Sequence, residues 1–292
     1  MQLGRLGVWS WMDMFSAADA AAFAARVEGW GYSALWIPEA VGRDPLALHA
    51  HLAGATSELI LATGIANIYA RDPMTMRAGR DTLAELSGGR FLLGLGVSHA
   101  PMVNGMRGHE YGKPVATMRA YLEAMEQAIY LGPEPPEPPP VVLAALRPKM
   151  LGLATERVQG AHPYNVTPKH TARAREILGK DAWLCPEQKV MLETDASKAR
   201  SVARQNFGPY VTLPNYQNNL KWLGFEDTDF QDGGSDRLLD ALFAWGDERA
   251  IRERIQAHWD AGADHVCIQT IRPDGEQGPD TALLELLAPG NA

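Results

Sequence analysis

The chain alternates apolar runs long enough for a strand with runs whose apolar residues recur at helical spacing. Two strand-like runs, 59–63 and 141–145, are apolar almost throughout, which is typical of parallel strands covered on both faces. Eight runs are predicted as strands: 3–11, 34–38, 59–66, 91–97, 141–146, 158–164, 183–192 and 265–271. Eight strands alternating with helices in 292 residues predict an α/β fold, a (β/α)8 TIM barrel with insertions in a single domain over 1–292.

The segments between the strands carry helical stripes and helix-end signals. Thr167 followed by Pro168 predicts a helix N-terminus. Gly29 with Gly31, and the pair Gly88-Gly89, predict the ends of the first and third helices. The apolar stripes consist of Phe23, Val27 and Trp30, of Met118, Leu122, Met125 and Ile129, and of Ile251, Ile255 and Trp259.

A doubly wound open sheet is the alternative architecture. Such a sheet normally carries a glycine-rich phosphate loop after its first strand. Here the first strand ends in Trp9-Ser10-Trp11-Met12-Asp13, without such a loop. This ending favours the barrel over a nicotinamide-binding fold.

Two segments interrupt the alternation. Residues 133–140 are prolines and glutamates, which predict a stiff, extended connector into the fifth strand, with a ligand for a proline-binding domain as the alternative. Residues 209–246 are too long for a simple link and contain Tyr210, Tyr216, Trp222, Phe225 and Phe230. We interpret this segment as a long loop, either a lid or an oligomer contact.

Charge and cysteine content exclude several classes of function. A formal charge of −8 argues against nucleic-acid binding. No polybasic run, signal-peptide pattern or long apolar stretch points to a membrane. Cys185 and Cys267 both lie in strand-like runs, so we expect two small buried thiols, no disulfide framework and a cytoplasmic location.

The run Gly88–His99 predicts a tight turn, then a buried strand, then a polar residue at the strand's carboxyl end. Glycines that alternate with Leu and Val let another backbone or a flat ligand come close. His99 follows the strand at the edge where barrels place their reactive groups. The alternative is a packed barrel strand followed by a solvated histidine.

Barrels place their reactive groups at the carboxyl ends of the strands, and this rule selects further candidates from the other strand ends. His99 and Glu39 are candidates for proton transfer, and Arg147 with Lys149 for binding an anion at the start of a helix. Each has a structural alternative: Glu39 pairing with Arg43 or Arg71, Arg147 and Lys149 as surface charges, and His162 as a structural histidine. The sequence contains no motif for a metal site, a serine nucleophile or a Walker-type phosphate loop. The other strand-end candidates are Trp9, Ser10, Trp11, the run 63–67, Ser98, His162, Tyr164, Asn165, Glu187 and Gln269.

With these motifs the chain resembles the bacterial luciferase-like superfamily, and within it most closely the deazaflavin oxidoreductases that use coenzyme F420. The resemblance covers nearly the whole chain. It is carried by the runs 29–39, 61–67, 71–73, 87–99 and 261–266. It implies the (β/α)8 barrel already predicted, with the cofactor ring at the carboxyl ends of the strands.

The resemblance also implies where the cofactor contacts lie. A non-proline cis peptide is expected at or near Thr63-Gly64, behind the ring. The polyanionic tail of coenzyme F420 is expected near the turn after strand five. The cofactor residues implied are Thr63, Gly64, Ala66, Asn67, Val97, Ser98, Leu146, Arg147, Lys149 and Met150, with Trp9, Trp11 and Tyr69 shaping the substrate side.

Two positions depart from the pattern of the deazaflavin alcohol and sugar-phosphate dehydrogenases. Those enzymes carry a histidine after the acidic residue of strand two, where this chain has Ala40, and a glutamate where it has His99. The departure argues against alcohol oxidation by the usual pair and leaves His99 and Glu39 as the catalytic candidates.

The sequence therefore predicts an oxidoreductase that transfers a hydride between coenzyme F420 and a small organic substrate. An FMN-dependent monooxygenase of the same fold is one alternative, and a flavin- or deazaflavin-binding protein without turnover is another. The family resemblance implies a homodimer, and we expect neither a nucleic-acid nor a membrane partner.

Overall fold

A computed structural model gives the fold of residues 1–135 and 137–291. The strands are β1 Leu6–Trp9, β2 Ala34–Ile37, β3 Ile60–Thr63, β4 Ala66–Asn67, β5 Phe91–Gly96, β6 Val141–Leu143, β7 Gly160–Ala161, β8 Trp183–Leu184, β9 Glu187–Leu192, β10 Phe243–Gly246 and β11 Val266–Thr270. The helices are α1 Ala17–Gly29, α2 Pro45–Ala53, α3 Pro73–Leu86, α4 Pro114–Gln127, α5 Pro148–Arg157, α6 Pro168–Leu178, α7 Ala196–Val211, α8 Pro214–Leu223, α9 Asp236–Leu242, α10 Glu248–Asp260 and α11 Thr281–Leu286.

The strands pair in parallel and form a closed ring. The order β11-β1-β2-β3-β5-β6-β7-β8 accounts for most of the ring, and β9 pairs with β11. Strands β8 and β9 are two halves of one bent run, interrupted at Cys185 and Pro186. The Cys185 amide donates to the Ala161 carbonyl (2.8 Å), and the Cys267 amide donates to the Pro186 carbonyl (3.0 Å). The bend thus bonds to both neighbours and closes the ring, so the predicted barrel is confirmed.

The predicted helix ends are confirmed in three places. Thr167 caps α6, with its hydroxyl accepting from the His170 amide, and Pro168 takes the first helical position. Helix α1 ends at Gly29, with Gly31 at a φ of 84°, and α3 is followed by Gly88 and Gly89, both at positive φ. The stripe prediction is wrong at Ile129, which lies beyond the end of α4 and is 73% exposed.

The segment 209–246 is built of helices and a strand, so its interpretation as a long loop is wrong. It contains the end of α7, then α8, a 3-10 turn at Asp227–Gly233, α9 and β10. Its apolar side chains, among them Leu220, Leu238 and Phe243, form a second buried cluster with α7. Strand β10 pairs with β9 and extends the sheet.

In the proline-rich connector, Pro136 lies outside the described residues, and the Pro140 carbonyl accepts from the Leu93 amide (3.0 Å).

The interior of the barrel is filled by side chains around Trp36. Its indole is fully buried, stacks on the His162 ring at a centroid distance of 4.4 Å, and donates to His265 Nε2 (3.0 Å). Cys185 and Cys267 pack in the same cluster as free, buried thiols, as predicted.

Within residues 1–135 and 137–291, no helix combines the length and apolar content needed to cross a membrane.

Glycine in β5 permits a close approach to β3, as the sequence predicted. A Cβ at Gly94 would lie 2.0 Å from the Thr63 carbonyl oxygen. The Thr63 hydroxyl donates to the Gly94 carbonyl (2.8 Å), and the Gly94 amide donates back to it (2.9 Å). This contact fixes the end of β3, from which the next residues enter the candidate site.

Gly94→Ala should therefore destabilise the protein, because the new methyl overlaps backbone that other strands hold in place. We expect the free energy of unfolding to fall by about 1–3 kcal/mol or more, measured by urea denaturation. Gly152→Ala is the matched control: this glycine lies in α5 with no atom near its Cβ position, and the change should stabilise the chain by about 0.5–1 kcal/mol. Equal effects of the two substitutions would contradict the packing described.

Candidate active site

A cleft of about 740 Å³ opens at the carboxyl ends of the strands. Residues after β1, β2, β3, β5, β6 and β7 line it on the barrel side, and residues from α7 and α8 line it on the other. It brings together most of the predicted site residues: Trp9, Trp11, Glu39, Gly64, Val97, Ser98, His99, Leu146, Arg147, Lys149 and Met150.

The floor of the cleft contains a cis peptide bond between Gly64 and Ile65. The bond lies one peptide beyond Thr63-Gly64, within the region that the resemblance implied. The Trp9 indole donates to the Gly64 carbonyl (2.9 Å). A Cβ at Gly64 would lie 2.8 Å from Trp9 Nε1 and 3.1 Å from His162 Nε2, so only glycine fits this floor.

His162 holds an unpaired acceptor next to Gly64, below the accessible surface of the cleft. Its Nδ1 lies 2.7 Å from the Cys185 carbonyl oxygen, which can only accept, so Nδ1 carries the proton and Nε2 has none. Burial lowers the pKa of His162 to about 4, and the ring is therefore neutral at pH 7. Among the described residues Nε2 has no hydrogen-bond partner. The structural interpretation of His162 thus accounts for one ring nitrogen and leaves the other free.

His99 lies at the carboxyl end of β5. Ser98 before it has a φ of 55°, in the left-handed region, and a π-helical turn over Pro101–Met106 follows. The His99 ring packs against Tyr216 at a centroid distance of 5.5 Å. Burial lowers the pKa of His99 below its ordinary 6.5, so the imidazole is neutral at pH 7 and can accept a proton.

Glu39 forms a buried ion pair with Arg71, one of the two alternatives drawn from the sequence. Both carboxylate oxygens accept from Arg71 Nη1 (2.9 and 2.8 Å), and one also accepts from the Asn67 amide (2.8 Å). The side chains are only 8% and 9% exposed. No hydrogen bond joins Glu39 to His99 in the described part of the chain, so the carboxylate orients the loop after β3.

Arg147 and Lys149 flank the first turn of α5 at the rim of the cleft. Both are exposed, and neither makes an ion pair within the described residues. Pro148 occupies the first helical position, and no side chain caps the helix. Two uncompensated cations at a helix N-terminus favour an anionic group at this rim. Leu146 and Met150, each 9% exposed, form the apolar wall beside them.

Four predicted residues do not line the cleft: Thr63, Ala66, Asn67 and Tyr69. The Thr63 hydroxyl is bonded to β5, and Ala66 and Asn67 are fully buried in β4. The Tyr69 hydroxyl accepts from the Gly112 amide (2.9 Å), and its ring stacks on Tyr111, which does line the cleft. These residues therefore support the wall of the cleft from behind.

A buried ion pair that the sequence analysis did not predict lies behind Tyr164. Lys189 is 1% exposed, and its Nζ lies 3.3 Å from Glu187 and 3.9 Å from the centroid of the Tyr164 ring. Nζ also donates to Asn165 Oδ1 (2.5 Å). Burial lowers the pKa of Lys189, opposed by the nearby carboxylate. The spacing in the sequence could have revealed this ion pair, because Lys189 follows Glu187 by two residues and so lies on the same face of the strand.

A sequence profile of the luciferase-like monooxygenase family matches residues 3–265. The chain belongs to that enzyme family, and the predicted resemblance is confirmed. A Mycobacterium tuberculosis protein named "putative coenzyme F420-dependent oxidoreductase" is 27% identical over 273 residues, covering 79% of this chain and 75% of that protein. The 5,10-methylenetetrahydromethanopterin reductase of Methanolobus tindarius is 27% identical over 218 residues, 62% of this chain and 64% of the reductase.

Solved structures share the fold at low identity. An F420-dependent secondary alcohol dehydrogenase, in complex with an F420-acetone adduct, superposes with a TM-score of 0.76 at 15% identity and full coverage of both chains. The oxygenating constituent of 3,6-diketocamphane monooxygenase from Pseudomonas putida, in complex with FMN, gives 0.70 at 16% identity, covering 98% of this chain and 97% of that one. At these identities the likeness establishes the barrel architecture.

Removal of Arg71 should leave the Glu39 carboxylate buried without a cation. We expect Arg71→Met to lower the free energy of unfolding by about 3–5 kcal/mol, measured by urea denaturation. The double variant Glu39→Gln/Arg71→Met should recover part of that loss, because no buried charge is left unpaired; Asp44, which also pairs with Arg71, is exposed to water.

The control for this prediction is Arg119→Met, which breaks an exposed pair with Glu156. Water screens exposed pairs, so its effect should be much smaller. A loss for Arg71→Met no larger than that of the control would contradict the buried pair.

Proposed function

We propose that the chain is a coenzyme F420-dependent oxidoreductase that transfers a hydride between the deazaflavin and a small organic substrate. The relative from Mycobacterium tuberculosis, which aligns over most of both chains, supports the choice of cofactor. One observation carries the proposal: a cleft with Gly64 in its floor has two unpaired cations, Arg147 and Lys149, at its rim.

The residues of the cleft fit a tricyclic ring with an anionic tail. Gly64 contributes no side chain to the floor, Trp9 lies beside it, and Val97 adds an apolar edge. Arg147 and Lys149 are free to bind the polyanionic tail of coenzyme F420. When bound, the coenzyme supplies hydride transfer at its ring, while the chain orients the reactants and moves the proton.

His99 is the group that we assign to proton transfer. Its neutral imidazole lines the cleft and, in the direction of alcohol oxidation, accepts the hydroxyl proton as the hydride leaves the substrate carbon. Glu39 positions the loop behind the ring through Arg71. Trp9 and Trp11, in edge-to-face contact at 5.4 Å, shape the substrate side and exclude water. A homodimer and a cytoplasmic location stay predictions from the sequence.

The tail assignment predicts that Arg147→Met/Lys149→Met weakens coenzyme F420 binding by roughly tenfold or more. The loss should shrink at high salt, since screening already weakens the exposed charges. Fluorescence titration of purified protein with coenzyme F420 and, separately, with FMN measures both affinities. Lys180→Met, which removes an exposed lysine that does not line the cleft, is the control. Tighter binding of FMN, with oxygen uptake on reduction, would instead favour the monooxygenase.

If His99 transfers the proton, its removal should lower turnover without weakening the binding of the cofactor. His99→Ala should lower kcat by roughly 10²-fold, while the affinity for coenzyme F420 stays within about twofold. Because burial lowers the pKa of His99, kcat for oxidation should be flat above pH 7 and fall as the pH drops below 6.5. A substrate panel of secondary alcohols, ketones and enones, followed by deazaflavin absorbance, supplies the rates. An unchanged kcat would remove His99 from the mechanism.

A further inference from the structure

Six rings that line the cleft form an unbroken row, in which each ring contacts the next. In order along the row they are His99, Tyr216, Tyr210, Tyr164, Trp9 and Trp11. The consecutive centroid distances are 5.5, 5.4, 5.6, 5.0 and 5.4 Å, all within the range of favourable ring–ring contacts. This aromatic row therefore gives the cleft a continuous aromatic surface that begins at the group assigned to proton transfer.

A buried lysine decides which kind of ligand suits the aromatic row. Aromatic surfaces bind either cations, over the ring faces, or flat π-systems, by ring–ring contact. Lys189 Nζ lies 3.9 Å from the centroid of the Tyr164 ring and 5.8 Å from that of Tyr210. The lysine is 1% exposed, so its ammonium lies behind the row and outside the cleft. A ligand cation would have to share the Tyr164 ring with this ammonium, so the row favours an uncharged π-system.

An anionic group is also disfavoured at the aromatic row. The unpaired cations of the cleft, Arg147 and Lys149, lie at the start of α5 and would draw an anion to that rim. Lys189 is neutralised by Glu187, whose carboxylate lies 3.3 Å from it. The donors of the row are partly used within the protein, since the Tyr164 hydroxyl donates to Gln269 Oε1 (3.0 Å). Within the described residues the row thus presents ring surface without an unpaired charge.

The far end of the row opens into a second cavity, of about 640 Å³. Trp11 and Tyr210 line both spaces, and the second cavity lies at the carboxyl ends of β1 and β11, under α7. Its Arg272 is already paired with Asp274, with Nε donating at 3.1 Å. A ring held against the row therefore has room beyond it for a substituent.

We propose that the substrate is an uncharged aryl carbinol or the corresponding aryl ketone, whose ring packs against the aromatic row with its reacting carbon beside His99. This inference rests on the proposed function and adds the class of substrate to it. In oxidation the carbinol carbon loses a hydride to the coenzyme and the hydroxyl loses its proton to His99, which leaves the ketone. Reduction reverses both transfers. Tyr210, in the middle of the row, is the residue that selects an aromatic over a saturated ring.

The test compares three ligands of similar size. Acetophenone and cyclohexyl methyl ketone share a carbon skeleton, but the second has a saturated ring, and phenyltrimethylammonium has the aromatic ring and a positive charge. Calorimetry measures their binding to the whole protein, with and without saturating oxidised coenzyme F420, which cannot reduce a ketone. Acetophenone should bind in both conditions, roughly tenfold more tightly than either of the other two ligands.

Variants of Tyr210 separate the ring from its hydroxyl. Tyr210→Leu should reduce the preference for acetophenone over cyclohexyl methyl ketone to about twofold or less, because the middle of the row is lost. Tyr210→Phe keeps the ring and should keep the preference. Tyr130→Leu, which removes a tyrosine that does not line the cleft, is the matched control and should also keep it.

Equal affinities for the two ketones, or tightest binding of phenyltrimethylammonium, would overturn the proposal. So would an unchanged preference in Tyr210→Leu, or its loss in Tyr210→Phe or Tyr130→Leu. Acetophenone that binds only without the coenzyme would overturn it too, because the row would then hold the cofactor ring. If the preference for acetophenone holds while coenzyme F420 fails to bind, the aryl site stands and only the proposed cofactor is contradicted.

Discussion

The stack of Trp36 on His162 in the barrel interior sets the depth of the candidate site. The Trp36 indole fills the axis of the ring, and the His162 ring above it cannot descend. Gly64 passes directly over His162, held by the indole of Trp9. A larger residue at any of these contacts would raise the floor into the cleft. The position of the Gly64 peptide in the cleft floor is therefore a consequence of core packing.

The same interior explains why the polar groups facing the cleft are neutral. His162 and His99 are buried enough that burial lowers the pKa of both below 6.5. Glu39 and Glu187 are paired with Arg71 and Lys189 instead of facing the cavity unpaired. Uncompensated positive charge is left at the outer rim near α5. The site thus separates neutral polar groups in the interior from a positively charged edge.

Sequence patterns predicted the barrel and most of the cleft because these depend on local signals. Apolar runs that predict strands, helix caps and the rule that reactive groups follow the strands' carboxyl ends all depend on neighbouring residues. These signals led to His99, Arg147 and the Gly64 region. The family resemblance placed Ala66 and Asn67 in the site, but both are fully buried in β4 and do not line the cleft.

Other features depend on contacts between distant segments and were missed for that reason. Strand β10 reads as part of a loop because only its pairing with β9 makes it a strand. The sequence analysis did not single out Lys189, because its burial depends on Tyr164 and Tyr210, which contact it from other segments. The second cavity likewise arises only when α7 packs over the ends of β1 and β11.

A crystal structure of the protein grown with coenzyme F420 tests the central claim most directly. The account predicts electron density for a flat ring over the Gly64-Ile65 peptide, with the tail running past Leu146 to Arg147 and Lys149. A ring bound elsewhere, or a tail directed toward Arg272 and the second cavity, would contradict it.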